Sequence, residues 1–303
     1  MPGRFVENDP RVIVWLDIDE LMALKFAKRR KCAGLRGIGI GWIDMKRLLS
    51  AGIVSLLILA PVQASLAASD LAPHRALYRM SLVEANPSSG ISAATGAMMY
   101  RFEDICDAWT SETKVILKLI YAEGDEIQTT WSFTSWEAKN GLSYRFNVRH
   151  SRNGNDVEVL EGHAKREEAR GPATATFTVP KDTTIKLPDG TLFPTRHLVE
   201  LIKAGQKNTL TVSEVVFDGA SLENPYQINA LITKPKAKST DTKAARHIRM
   251  AFFPILAKAE EPEFELGITY RPDGVAERIR QDFGDFSLNL VPDNIEVLSK
   301  PDC

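Results

Sequence analysis

The chain lacks the motifs that usually announce an enzyme. Its five histidines, His74, His150, His163, His197 and His247, show no HxxxH or HxH spacing, so no metal site is indicated. It has no G-x-S-x-G elbow and no P-loop, which leaves out two common signatures of hydrolases and nucleotide-binding enzymes. Cysteine is scarce, with three in 303 residues. No long hydrophobic run is present. The stretch 48–60 is shorter than the roughly 18 apolar residues a membrane-spanning helix needs. No cysteine directly follows that stretch, so a lipoprotein anchor is not expected either. Basic clusters are also few. Of 38 Lys and Arg and 39 Asp and Glu, ten and six precede Ala68, so the remainder carries a net charge of about −5. A mildly acidic domain whose one basic stretch is Lys234 to Lys243 makes nucleic acid or anionic membrane a poor partner.

What is present begins with an export signal. Met45-Lys46-Arg47 is a charged start, the stretch 48–60 is an apolar h-region, and Pro61 ends any helix. Ser65 and Ala67 satisfy the small-x-small rule, which places cleavage between Ala67 and Ala68, with a cut after Ala64 as the alternative. Residues 1–44, with their Lys28-Arg29-Arg30-Lys31 cluster, sit awkwardly before such a signal. They read as an upstream extension from a start codon assigned too early, residues 45–67 as the signal peptide, and residues 68–303 as the exported domain. Only Cys106 and Cys303 remain after cleavage. In an oxidising compartment two cysteines most simply form one disulfide. Closing a loop of about 197 residues, it would contribute at most about 5 kcal/mol. Two unpaired buried thiols are the alternative.

The exported part reads as all-β. Alternating or β-rich runs occur at 76–82, 98–103, 109–113, 126–136, 142–149, 157–162, 173–179, 183–187, 209–217, 226–233, 245–253, 264–270, 275–282 and 286–291, about fourteen strands. Turn chemistry separates them: Asn140-Gly141, Asn153-Gly154, Pro188-Asp189-Gly190 and Pro272-Asp273-Gly274. Regular short strands joined by such turns predict a single large antiparallel sheet, spiral or barrel-like and cupped. One segment departs from this. Residues 192–205 predict an amphipathic helix, with Thr195 as N-cap, Gly205 as the stop, and Leu198, Leu201 and Ile202 on one face. Lys234 to Lys243, polar and charged, reads as a mobile hairpin loop.

Candidates for chemistry are thin. Glu103-Asp104 and the pair Asp282 and Asp285 are acidic couples whose simpler reading is a turn or strand-end role. His197 lies just inside the helix start and reads first as a structural histidine. Trp109, Trp131 and Trp136 are core candidates. With His197 and the helix residues Leu198, Leu201 and Ile202 they would line a pocket or lid if the cup has an apolar interior.

Four segments carry a resemblance. They are Ala72-Pro73-His74-Arg75-Ala76-Leu77-Tyr78, the run from Tyr100 to Trp109 that contains Cys106, the run from Leu187 to His197 that enters the helix, and Asp282-Phe283-Gly284-Asp285-Phe286-Ser287-Leu288 before the terminal Cys303. Their content and order resemble the EipB family of periplasmic cell-envelope integrity proteins. The resemblance implies a cupped, spiral-like sheet of about fourteen strands closed by one disulfide, with Cys106 and Cys303 matching the family cysteines. It also implies residence in the periplasm of an alphaproteobacterium, a non-enzymatic role in envelope integrity under stress, no cofactor, and a tetratricopeptide-repeat partner protein. A carrier that holds lipid or lipoprotein acyl chains in the cup is one alternative. A hydrolase resting on Glu103, Asp104 or His197 is another.

Overall fold

The computed structural model describes residues 71–234 and 245–303. The expected signal peptide with its expected Ala67/Ala68 cut, the expected upstream extension and nearly all of the expected Lys234 to Lys243 loop lie outside the described residues. Fourteen strands form one antiparallel sheet: β1 (His74–Ala85), β2 (Ile91–Asp104), β3 (Ala108–Tyr121), β4 (Glu126–Ala138), β5 (Ser143–Arg152), β6 (Asn155–Lys165), β7 (Ala173–Val179), β8 (Thr183–Leu187), β9 (Thr211–Val216), β10 (Tyr226–Thr233), β11 (Arg246–Pro254), β12 (Phe264–Tyr270), β13 (Ala276–Asp282) and β14 (Phe286–Val297). Among the described residues a single α-helix, α1 (Pro194–Gln206), joins β8 to β9, and a 3-10 turn (Pro87–Ser89) joins β1 to β2.

The order across the sheet is β8-β7-β6-β5-β4-β3-β2-β1-β14-β13-β12-β11-β10-β9. The first and last strands therefore pair at the centre, with His74 opposite Val297. From there the chain meanders out to one edge at β8, passes through α1, and returns from the other edge at β9. The two edges approach each other. Leu192, just before the helix, forms a parallel bridge to Val216. Its N–H donates to Val215 O at 2.8 Å, and Phe217 N–H donates back to Leu192 O at 2.9 Å. One residue thus spans a seam between the ends of an otherwise open sheet. Such partial closure covers part of the exposed backbone that makes a free edge an aggregation hazard.

Several strands, β1–β6 and β14 among them, are longer than the alternation predicted. β3 continues through Lys114–Tyr121, where residues on both faces are partly covered, so the period-2 contrast fades. β14 continues past the expected end at residue 291 through Pro292-Asp293-Asn294, residue types that commonly end a strand. A register irregularity between Leu77 and Tyr78 in β1 accommodates Pro292 opposite Tyr78. At Asn153-Gly154 both residues have positive φ, 50° and 80°, as a tight primed turn requires.

The helix departs from expectation at both ends. Its N-cap is Phe193, with no side-chain cap, and Pro194 fills the first position, where a missing N–H costs nothing. Thr195 is inside the first turn and is not the cap. Gly205 is not the stop either, because the helix runs on to Gln206 and closes at Lys207. The glycine serves close approach instead. A Cβ there would lie 2.9 Å from Arg246 Cγ, and Arg246 Nε–H donates to Gly205 O at 2.9 Å.

The interior holds three apolar clusters. The largest is mainly aliphatic and fills the face of β1, β2 and β9–β14, including Met80, Ile228, Ile248, Met250, Leu288 and Leu290, with Leu201 of the helix. The second, under β4–β7, is aromatic: Tyr144, Phe146, Phe177, Phe193 and Phe217 with Val148 and Leu160. The third gathers Leu71, Phe102 and Trp109 around Val199 and Ile202 of α1. Beside it, Cys106 and Cys303 are joined, 197 residues apart in sequence. Cys106 lies in the β2–β3 turn and Cys303 in the tail after β14. Since β1 lies between β14 and β2, the disulfide clasps its two neighbours across the start of β1.

Candidate functional site

The most unusual polar chemistry collects where the helix begins, at the seam. β4 alternates Trp131, Phe133, Ser135 and Glu137 on its inner face, which delivers a carboxylate to the interior at the strand end. Glu137 is 1% exposed. Its Oε2 accepts from the Thr195 N–H at 2.7 Å and its Oε1 from the Arg196 N–H at 2.9 Å. A residue from a distant strand thus replaces the missing local N-cap and places negative charge at the positive end of the helix dipole. Burial nonetheless pushes its pKa up to about 7, because these two N–H groups offset only part of the desolvation.

Arg166, just beyond β6, is also buried. Its guanidinium lies over the Phe193 ring at 4.5 Å. Nη2 donates to Thr191 O at 2.8 Å, Nη1 reaches Gly171 O only at 3.5 Å, and Nε has no partner. Burial lowers its pKa, an effect opposed by the Glu137 charge. Phe193 stacks in turn on Tyr144 at 5.0 Å, and the Tyr144 hydroxyl donates to Asp218 O at 2.9 Å.

The sequence candidates are dispersed among these features. His197 is 6% exposed, its Nε2 lacks a partner, and burial depresses its pKa to about 4, so it is held neutral. Trp109 is in the third cluster beside Ile202 and Val199, with Leu198 partly buried against it and Lys139 Nζ 5.6 Å from its ring. Leu201 belongs to the aliphatic cluster. Trp131 stacks on Phe133 at 5.6 Å beside the aromatic cluster. Trp136 points to the opposite face of β4 from Glu137 and carries the Arg145 guanidinium at 4.9 Å. The three tryptophans therefore do not share one surface. Glu103 pairs with Arg101 at 2.6 Å, while Asp104 pairs with Lys139 at 2.6 Å and accepts from the Cys106 N–H at 3.0 Å. Asp282 accepts from the Gly284 N–H at 3.1 Å in the β13–β14 turn. These carboxylates are occupied with turns and ion pairs. Among the described residues no group of three or more His, Cys, Asp or Glu is placed to hold a metal ion.

Sequence reasoning passed over Glu137 and Arg166. A signal existed: each occupies an inward position of a strand or its direct continuation, where a charge is out of place. That signal depends on assigning strand faces to the last residue.

Three comparisons bear on this architecture. A family model described as EipB-like matches residues 65–299. The chain is 29% identical over 233 residues to the cell envelope integrity protein EipB of Brucella abortus (strain 2308), covering 72% of this chain and 81% of that one. A crystal structure of a beta-barrel-like protein, a domain of unknown function from Brucella abortus, superposes with a TM-score of 0.68 at 25% identity, over 76% of this chain and 99% of that one. The fourteen-stranded sheet, the helix at its seam and a family match that takes in nearly all of both make this chain a member of the EipB-like family.

Proposed function

We propose that this protein is a non-enzymatic periplasmic factor that maintains cell-envelope integrity through protein–protein contacts. The similarity along most of the sheet to a relative named for envelope integrity carries this reading. The export signal read from residues 45–67 supplies the address, and a disulfide between the two cysteines beyond it suits an oxidising compartment.

The contact part rests on the outer rim. β9 pairs with β10 along one side, and on the other it receives Leu192 at its Val216 end. Beside it, a surface depression of about 390 Å³ is lined by Thr211, Ser213, Leu231 and Ala251 among others, and Leu231 is 48% exposed. An edge with backbone groups on offer next to an apolar dimple suits an added extended segment of a partner protein, and a tetratricopeptide-repeat protein is the partner class proposed. The carrier alternative has less support. The helix and the aromatic cluster occupy interior space that an acyl chain would need.

Deleting the gene should sensitise cells to detergent and cell-wall antibiotics, with fractionation finding the protein in the periplasm and complementation restoring resistance. Unchanged sensitivity of the deletion strain would remove the envelope role. Native mass spectrometry showing a bound lipid would favour the carrier over the contact reading.

A further inference from the structure

The seam where the sheet's ends meet is also the place where cations converge. A depression of about 40 Å³ there is lined by Lys139 with Asn140 and Gly141 of the β4–β5 turn, by Arg166 and Arg170 of the β6–β7 link, and by Arg196 in the first turn of α1. Four positive side chains from three separate segments face it, and no carboxylate lines it.

Three nearby carboxylates pair with these cations. Asp104 holds Lys139 at 2.6 Å, while Glu200 is 3.4 Å from Arg196 and Glu214 is 3.7 Å from Arg170. The last two contacts are long and partly exposed, so they restrain the arginines weakly. Glu137 already takes the Thr195 and Arg196 N–H groups, so the helix end itself has little to offer a ligand. Asn140 Oδ1 accepts from the Leu142 N–H at 3.0 Å, which leaves its amide NH2 as a donor.

Arg166 supplies the independent observation. It is 9% exposed, its Nε donor is unpartnered but sealed from solvent, and Nη1, with only the 3.5 Å contact, is the donor left for a ligand. A buried guanidinium with unused donors is costly unless something accepts from it. Packing on Phe193 and one good bond to Thr191 O fix its plane at the wall of the depression. A planar fork held in place, flanked by two re-orientable arginines and a lysine, has the donor geometry that takes a tetrahedral oxyanion.

We propose that this depression binds a phosphate-type anion, either free phosphate or the phosphate of an anionic lipid headgroup. Arg166 is the fixed donor, and Arg170 and Arg196 close on the ligand. This site stands independently of the envelope role, since its observations are local to the seam.

The test is a titration of the purified protein with inorganic phosphate at constant ionic strength, chloride serving as the control. The Arg166 Nε–H resonance should shift saturably in 15N NMR, and the melting temperature should rise. The double variant R170Q/R196Q alters one exposed and one half-buried side chain outside the core, and it should weaken phosphate binding roughly tenfold or more. Phosphatidylglycerol vesicles, against phosphatidylcholine vesicles, separate the sources. Vesicle binding that phosphate competes away assigns the headgroup, and phosphate binding without vesicle binding assigns the free anion. An unmoved Arg166 Nε–H resonance with no vesicle binding overturns the proposal. So does phosphate affinity that is equal in the wild type and the double variant.

Discussion

Strands β4–β7 and strands β9–β14 are both antiparallel meanders, yet different side chains fill them. Beneath β4–β7, five of the eleven fully buried residues are aromatic rings, set mostly edge to face: Phe146 with Phe177 at 5.0 Å and 67°, and Phe146 with Phe217 at 5.6 Å and 73°. Beneath β9–β14 and the central strands the cluster is mainly Ile, Leu, Met and Ala. The rings impose conditions on the backbone. A Cβ at Gly162 would come within 2.7 Å of the Phe146 ring, and one at Gly219 within 2.5 Å. The aromatic region concentrates its burial in a few interlocked residues, whereas the aliphatic region spreads it over many interchangeable ones. The disulfide belongs to the second region, clasping β14 and β2 across β1.

That contrast predicts unequal responses. Phe146→Ala removes a ring that meets three others and should cost about 3–5 kcal/mol in denaturant unfolding. A loss near that of a single aliphatic trimming would erase the distinction between the regions. Reduction of Cys106–Cys303, or Cys106→Ser, should cost roughly 2–5 kcal/mol. Melting curves with and without reductant measure it, and coincident curves would show that the clasp adds nothing.

The helix start, which joins both regions, predicts a pH signature. Glu137 has a folded pKa raised to about 7, so it favours the native state most below pH 4.5, and that contribution is lost as pH rises through 7. His197 has a folded pKa lowered to about 4, so its contribution is complete above pH 6.5 and is lost as pH falls through 4. Each effect is of the order of 3 kcal/mol, and their slopes oppose between pH 4.5 and 6.5. Wild-type stability should be nearly flat there with respect to these two groups. Glu137→Gln should unmask stability that rises with pH, and His197→Leu stability that falls with it. Unfolding free energies measured across that window check the sign, and two variants sloping the same way would contradict the assignment. The smallest effect is expected in the aliphatic region, where Ile248→Val, fully buried, should cost only about 0.5–1.5 kcal/mol.

Much of this architecture was legible before any coordinates. All fourteen strands correspond to runs visible as alternation and turn chemistry, and 173–179, 183–187, 226–233 and 264–270 coincide with β7, β8, β10 and β12 to the residue. The pairing of Cys106 with Cys303 was the simplest use of the two cysteines in the exported part expected from the sequence. The helix was visible as a segment, but its caps were misplaced. Thr195 is the residue type that caps locally, and only the fold reveals that Glu137, 58 positions away from Thr195, accepts that N–H instead. The tryptophans were legible as buried or half-buried residues, but not as residents of separate places.

The sequence by itself determined the class of the protein. Period-2 patterning, glycine-bearing turns and one 3.6-period segment are local properties, and local sterics and burial suffice to set them. Only the tertiary structure decided what meets at the seam. Leu192 bridging β9, Glu137 holding the start of α1, and the arginines at its rim depend on which distant strands the closing sheet brings together. Contacts across such sequence distances carry no periodic signal in the chain that makes them.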